Sequence, residues 1–189
     1  MKTNNRITKK CQRWDIPGHA HELTFSCYHN HKFFLNRSYC QWLVESIGNA
    51  RNKYNFSLWA YVFMPDHIHL LIHPKEKDYS ISRILSTIKR PVGRKIISHM
   101  KSTDATDIEK LRTGWKGDHY RFWQKGGGYD RNITRTDTLI ACVRYIHRNP
   151  VRKKLVISPE DWYFSSAAVW ANIRQGPLVI DRDDWPAFT

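Results

Sequence analysis

The chain has 189 residues, with 31 Lys and Arg against 17 Asp and Glu, which gives a formal net charge of +14. This length suits one domain with small extensions. So large an excess of positive charge favours a polyanion such as nucleic acid as the partner, and some of the 8 Trp, 9 Tyr and 8 Phe can stack on unpaired bases. Because no secretory signal and no apolar run of about 18 residues is present, we expect neither a secreted nor a membrane-spanning protein.

The cysteines indicate a reducing compartment. Four of them, at positions 11, 27, 40 and 142, form no Cys-x-x-Cys pair and no even disulfide framework. We therefore expect free thiols and a cytoplasmic protein. A zinc site built from Cys27, His29, His31 and Cys40 is an alternative, although this spacing matches no common zinc module.

The first half of the chain predicts a basic terminus followed by strand, helix and strand. Residues 1–16 are polar and basic and are expected to be a flexible segment that can lie along phosphates. Residues 22–28 alternate well enough for a first strand, Arg37–Tyr54 has the apolar stripe of an amphipathic helix, and residues 56–64 form an apolar strand.

A Pro-Asp turn at 65–66 then leads into a second apolar strand that carries two histidines. Side chains alternate between the two faces of a strand, so His67, His69 and Leu71 share one face. Two imidazoles placed in this way can hold one metal ion, and a third ligand must come from elsewhere. The same His-x-His pattern at 19–21 and 29–31 lies beside Pro, Gly and Asn, where solvated polar residues are expected.

Residues 80–100 predict a second helix with a basic outer face. Pro91 and Gly93 are expected to kink or divide it. With this net charge, its exposed cations are predicted to contact DNA phosphates; they are Arg83, Lys89, Arg90, Arg94 and Lys95. Residues 119–125 are the next predicted strand, which ends in three glycines.

A third helix, predicted over residues 138–154, carries the remaining reactive groups. Tyr145 and Asn149 are four residues apart and therefore lie on the same face. A tyrosine hydroxyl can act as a nucleophile, and an amide oxygen suits a hard divalent cation. Pro150 is expected to kink or end the helix at Asn149. Arg152 and Lys153, just beyond, can meet a DNA backbone.

These motifs together resemble a known family. The apolar strand with His-x-His and the helix with Tyr and an amide four residues later resemble the single-tyrosine HUH transposases. The texts YIHRNPV at 145–151 and DWYFSS at 161–166 resemble the REP-associated tyrosine transposases more closely. The resemblance spans about residues 15–170. It implies an α+β fold, namely a ferredoxin-like antiparallel sheet with helices packed on one face. It also implies a catalytic domain at 17–170, with residues 171–189 as a C-terminal tail.

The resemblance further implies an enzyme that cuts and rejoins single-stranded or hairpin DNA through a 5′-phosphotyrosine. Tyr145 would be the nucleophile, and His67, His69 and Asn149 would hold Mg²⁺ or Mn²⁺, in a monomer or homodimer. Asp66 and His147 are interpreted as a turn residue and a helix-surface residue.

Two alternatives stay open. One is a metal-dependent nuclease that uses water, in which Tyr145 is merely a buried aromatic. The other is a protein that binds hairpin or single-stranded DNA without cutting it. The first would leave no covalent adduct, and the second would bind equally well with or without metal.

Overall fold

The computed structural model describes residues 14–114 and 119–185, so the predicted basic segment lies almost entirely outside the described part. The strands are β1 (Ala20–Ser26), β2 (Phe56–Phe63), β3 (His67–Pro74) and β4 (Tyr129–Ile133). The helices are α1 (Arg37–Tyr54), α2 (Ile81–Ser102), α3 (Thr136–Arg152) and the short α4 (Ala167–Trp170). Among the described helices, none has the length and apolar character needed to cross a bilayer.

The four strands form one antiparallel sheet in the order β2-β3-β1-β4. Helices α1 and α2 pack together on one face over the larger hydrophobic core. The predicted α+β, ferredoxin-like fold is thereby confirmed. Helix α3 adds a second layer, because it packs against β2 and β3 through a separate cluster that includes Trp59, Val62 and Ile146. The sheet is therefore covered on both faces, so the expectation that the helices pack on one face alone is wrong.

The register of β3 determines which side chains meet α3. Ile68, Leu70 and Ile72 belong to the core beneath α1 and α2. His67 and His69 point to the opposite face, as the alternation predicted. His69 is paired with Thr24 of β1 and, on its other side, with Val62 of β2. The histidines thus lie in a central strand, under the third helix.

Helix α2 is a single helix that continues through Pro91 and Gly93, so the predicted division is wrong. A proline has no N–H to donate to the carbonyl four residues earlier, here that of Thr87. The hydroxyl of Ser46 on α1 lies 3.4 Å from the Thr87 oxygen and donates to the Ile88 oxygen at 2.8 Å. The Ser46 hydroxyl thus lies close to the carbonyl that lacks its helical donor, although its shorter hydrogen bond goes to the next carbonyl.

The strand predicted at 119–125 is also wrong, since this stretch makes only isolated bridges, such as the one between Cys27 and Trp123. The edge strand β4 instead follows the glycines. Its sequence, YDRNI, is polar and partly exposed, and it lacks the apolar alternation that identifies a strand. Gly128, with φ +75°, allows the turn into β4, because a Cβ there would stand 2.1 Å from the Thr24 oxygen.

The described part of the C-terminal segment covers the edge of the sheet formed by β2, opposite the edge formed by β4. The backbone N–H of Asp181 donates to Leu58 of β2 at 2.9 Å, and the Asp181 carboxylate accepts the Leu58 N–H at 2.8 Å. Leu178 and Ile180 are buried in the core beneath α1 and α2. Pairing of this kind protects an edge strand that would otherwise expose its hydrogen-bonding groups.

Candidate active site

A cavity of about 460 Å³ opens between β1, β3 and α3. It brings together Tyr145, His67, His69 and Asn149, the four residues predicted to carry the chemistry. The other lining residues are Thr24, Ser26, Arg152 and Lys153. The side-chain alternation of β3 and the four-residue spacing on α3 therefore predicted correctly that these residues lie at one cavity.

His69 is the buried member of the histidine pair, with 4% of its surface exposed. Its Nδ1 lies 2.8 Å from the hydroxyl of Thr24. With Nδ1–H donating to that oxygen, the lone pair is on Nε2, which is buried and has no hydrogen-bond partner in the described chain. Burial, followed by the charge of His67, lowers the pKa of His69 to about 3. The imidazole is thus neutral, as a metal ligand must be.

His67 is oriented in a similar way by the residue before it. Its Nδ1 lies 2.7 Å from a carboxylate oxygen of Asp66, so the ring N–H donates to Asp66 and the other nitrogen, Nε2, keeps its lone pair. A carboxylate behind a ligating imidazole fixes its tautomer and raises its basicity. The two imidazole centroids are 4.9 Å apart. Asp66 is therefore a turn residue, as interpreted, and it also orients His67.

Asn149 is held by the helix that carries it. The helix does not end at Asn149, which was one of the two expected outcomes, because α3 continues through Pro150 to Arg152. The Asn149 Nδ2 group donates to the Tyr145 carbonyl at 2.8 Å and to the Ile146 carbonyl at 3.3 Å. The second carbonyl is the one that Pro150, lacking an N–H, leaves without its usual donor. With both amide hydrogens engaged, Oδ1 is the atom available to a cation.

Tyr145 is the accessible member of the site, with 41% of its surface exposed. Its ring meets that of His69 edge to face, at a centroid distance of 5.6 Å. The guanidinium carbon of Arg152 lies 5.1 Å from the centre of the phenol ring. The phenol side chain is thus partly open to solvent and packs beside His69 and the cation of Arg152.

The donor set fits a divalent cation. Two neutral imidazole nitrogens and one amide oxygen would leave the remaining coordination positions to phosphate oxygens and water. The buried, unpartnered Nε2 of His69 is the strongest sign of such a ligand. Within residues 14–114 and 119–185, no three His, Cys, Asp or Glu side chains lie close enough to hold a metal ion. The alternative zinc site at Cys27, His29, His31 and Cys40 is therefore wrong.

The predicted DNA-contacting cations do not lie together in one surface. Arg152 and Lys153 line the cavity itself. Lys89, Arg90 and Arg94 line a groove along α2, on the other side of the sheet. On the same helix, Arg83 is exposed, whereas Lys95 is turned towards α1, where it pairs with Glu45 at 3.5 Å and lies over Trp42. Contact of any of these with DNA stays a prediction.

One residue near the site differs from its sequence interpretation. His147, expected on the helix surface, is 9% exposed, and its Nε2 lies 2.8 Å from the Ser166 hydroxyl. That hydroxyl also accepts the backbone N–H of Tyr61 at 3.0 Å, so it fastens α3 to β2. Burial lowers the pKa of His147 to about 4. The DWYFSS text, which contains Ser166, was the signal that could have revealed this contact.

Comparison with known proteins identifies related sequences and a related fold. The family model described as "Transposase IS200 like" matches residues 19–149. A Haemophilus influenzae protein named as a REP-associated tyrosine transposase is 26% identical over 134 residues, covering 66% of this chain and 70% of the relative. A solved structure of a REP-associated tyrosine transposase bound to a REP hairpin matches with a TM-score of 0.66. That match has 21% identity and covers 95% of this chain and 96% of the other, and at this identity it shows the fold.

Proposed function

The chain belongs to the IS200-like transposase family, and from this premise we propose that it cuts and rejoins single-stranded DNA through a 5′-phosphotyrosine on Tyr145. As a transposase it is a DNA-cleaving enzyme, and the proposal concerns the chemistry and the residues. One observation carries it: the exposed Tyr145 ring packs against the ring of His69, whose buried Nε2 has no partner among the described residues, in a cavity that Asn149 and two cations also line.

The residues in and behind the cavity have separate roles in this proposal. When held by His67, His69 and Asn149, a Mg²⁺ or Mn²⁺ ion would polarise the scissile phosphate and offset the charge that develops during attack. Thr24 and Asp66 keep the two imidazoles in the tautomer that ligates. Arg152 and Lys153, at the same cavity, bind the phosphate that is attacked and its neighbour.

The covalent step exchanges one phosphate ester bond for another, so the free energy of the broken DNA bond is retained in the phosphotyrosine. The Tyr145 oxygen forms a bond to phosphorus, and the bond from phosphorus to the 3′ oxygen of the preceding nucleotide breaks. The phenol gives its proton to solvent, and the departing 3′ oxygen takes one up as a hydroxyl. The reverse attack by a 3′-hydroxyl on the phosphotyrosine rejoins DNA, so no nucleotide cofactor is needed.

A DNA hairpin is the first substrate to test. The relative of similar fold was solved with a REP hairpin, and the +14 charge of this chain suits a polyanion. We extend hairpin recognition to this chain as part of the proposal. A monomeric or homodimeric state and a cytoplasmic location remain our expectations.

The test is denaturing gel electrophoresis after incubation with labelled single-stranded hairpin DNA and Mg²⁺ or Mn²⁺. The wild-type protein should give a DNA-linked band that Tyr145→Phe abolishes. Tyr129→Phe is the matched control, since Tyr129 is a second exposed tyrosine, opposite Thr24 in the sheet. Cleavage without a linked band, surviving in Tyr145→Phe, would favour the hydrolytic nuclease. Metal-independent binding with no cleavage would favour the binding protein.

A further inference from the structure

A groove follows helix α2 where it meets residues 121–127. It consists of two adjoining cavities of about 350 Å³ and 340 Å³, both lined by Lys89, Arg90 and Trp123. The first cavity reaches Ile97 and the second reaches Ser82. Fifteen helical steps of about 1.5 Å give the groove a length of roughly 22 Å, enough for several nucleotides.

The floor of the groove is apolar and closely packed. A Cβ at Gly93 would stand 3.3 Å from the Trp123 ring, so glycine lets this indole lie directly against the helix. The indole N–H donates to the Lys89 carbonyl at 2.7 Å, which fixes the ring. Phe122 and Ile97 complete the surface. Trp123 and Phe122 are 8% and 2% exposed, so the floor offers an unpaired base a narrow, rigid apolar strip.

Every charged residue that lines the groove is a cation. The charged residues that line its two cavities are Lys89, Arg90, Arg94, Arg121 and Lys125. No carboxylate lines either cavity among the described residues. Cations beside an apolar floor match the chemistry of a nucleic acid strand, which has a charged sugar-phosphate backbone along one side and bases along the other.

A short loop at the sheet edge joins the groove to the catalytic cavity. The N–H of Gln124 donates to the Ser26 carbonyl at 2.9 Å, and Gly128 packs against the backbone of Thr24. Gln124 lines the groove, whereas Ser26 and Thr24 line the catalytic cavity. A strand that leaves the cavity over this loop therefore enters the groove.

We propose that the groove holds an unpaired stretch of the same DNA strand that is cut at Tyr145. This inference rests on the proposed function for the identity of the strand. A single strand can use both the apolar floor and the cationic rim. A duplex presents its phosphates but keeps its bases paired and stacked, so it would leave the floor unused.

The test is fluorescence anisotropy in EDTA, where cleavage does not occur, with a labelled hairpin that carries a single-stranded extension and the same hairpin without one. Arg94→Gln should weaken binding of the extended hairpin by about three- to tenfold and make the dependence of log K on log salt shallower by about 0.7. Its effect on the blunt hairpin should stay below about twofold. Lys101→Gln is the matched control, since it removes one exposed cation from the same helix outside the groove, and both hairpins should bind it as they bind the wild type.

A change in the DNA tests the floor without altering the protein. An extension of abasic sites keeps the phosphates but removes the bases, and it should bind about fivefold more weakly or worse. Equal loss on blunt and extended hairpins with Arg94→Gln would mean that a duplex occupies the groove, and no loss on either would mean that DNA does not. Both results would overturn this inference while leaving the Tyr145 adduct intact. Loss of the adduct with retention of the groove effects would instead overturn the proposed function alone.

Discussion

The imidazole of His69 and the phenol of Tyr145 meet edge to face, with their centroids 5.6 Å apart. His69 is on the central strand β3, and Tyr145 is on helix α3, which packs on that face of the sheet. The His69 ring is oriented from behind by Thr24, at 2.8 Å. The position of the proposed nucleophile relative to the proposed metal ligand therefore depends on contacts that involve neither substrate nor metal.

The Thr24 hydroxyl should control metal affinity. Thr24→Val keeps the shape of the side chain but removes the acceptor for His69 Nδ1–H, so the ring is free to adopt the tautomer in which Nε2 carries the proton. Loss of such a partner should lower Mn²⁺ affinity by about 10- to 100-fold, measured by isothermal titration calorimetry. Thr87→Val is the control, since the Thr87 hydroxyl bonds Tyr54 at 3.0 Å on the far side of the sheet. Unchanged affinity in Thr24→Val would contradict this role.

Asn149 and Pro150 should be energetically coupled through the Ile146 carbonyl. Asn149→Ala removes the side-chain donor to that buried oxygen, and Pro150 offers none, so the free energy of unfolding should fall by about 1–3 kcal/mol. In a Pro150→Ala background the new backbone N–H can replace the donor. There, Asn149→Ala should cost about 1 kcal/mol less.

Urea unfolding of the four proteins in EDTA gives this coupling energy directly. Additive effects would show that the amide of Asn149 does not compensate for the proline. The measurement is independent of any metal or DNA, so it tests the local structure of α3 by itself.

Local patterns predicted the elements whose signals lie within a few residues. The bounds of α1 match the prediction, because Asn36 accepts the Ser38 N–H at the start and Asn55 takes a left-handed conformation at the end. The alternation of β3 placed both histidines on the correct face. The spacing of Tyr145 and Asn149 placed both residues at one cavity.

The features that were missed depend on contacts between distant parts of the chain. Strand β4 forms because β1 offers it a partner, although its own residues are polar. His147 is buried because Ser166, 19 residues later, meets it. The spacing of apolar residues in α3 does not indicate that contact. Pro150 does not end the helix, because the neighbouring amide replaces the missing donor, a compensation that propensity alone does not include.

Stability should fall at alkaline pH because the described thiols are buried. Cys27, Cys40 and Cys142 are free, as predicted, and burial raises the pKa of Cys40 from 9.0 to about 12. The folded protein therefore keeps this proton between pH 9 and 12, while the unfolded chain releases it, so stability is lost as the pH rises above about 9. At pH 10 the cost is about 1 kcal/mol for this thiol.

Cys40→Ala should therefore reduce the difference in free energy of unfolding between pH 8 and pH 10 by about 1 kcal/mol. Urea titrations at the two pH values measure this difference. The substitution also lowers stability at both pH values, because Cys40 is 1% exposed and its thiol donates to the Phe34 carbonyl. The difference between the two pH values is thus the informative quantity, and an unaltered difference would mean that Cys40 does not ionise as inferred.

The Ser166 hydroxyl should position the helix that carries the nucleophile. Ser166→Ala removes the contacts to His147 and to the Tyr61 N–H, both buried, and should lower the free energy of unfolding by about 1–3 kcal/mol. Because α3 then loses a fixed attachment to β2, the rate of phosphotyrosine formation should fall about tenfold or more at saturating DNA. The affinity for hairpin DNA in EDTA should change by less than about twofold, since neither DNA-facing cavity is altered.

Ser102→Ala is the matched control, because the Ser102 hydroxyl is exposed and donates to the His99 carbonyl of its own helix. It should change neither stability nor rate. Rates must be compared at a temperature where both variants are fully folded by circular dichroism. If Ser166→Ala then forms the adduct as fast as the wild type, the bond to His147 contributes to stability alone, and the position of Tyr145 is set by the packing of α3 against the sheet.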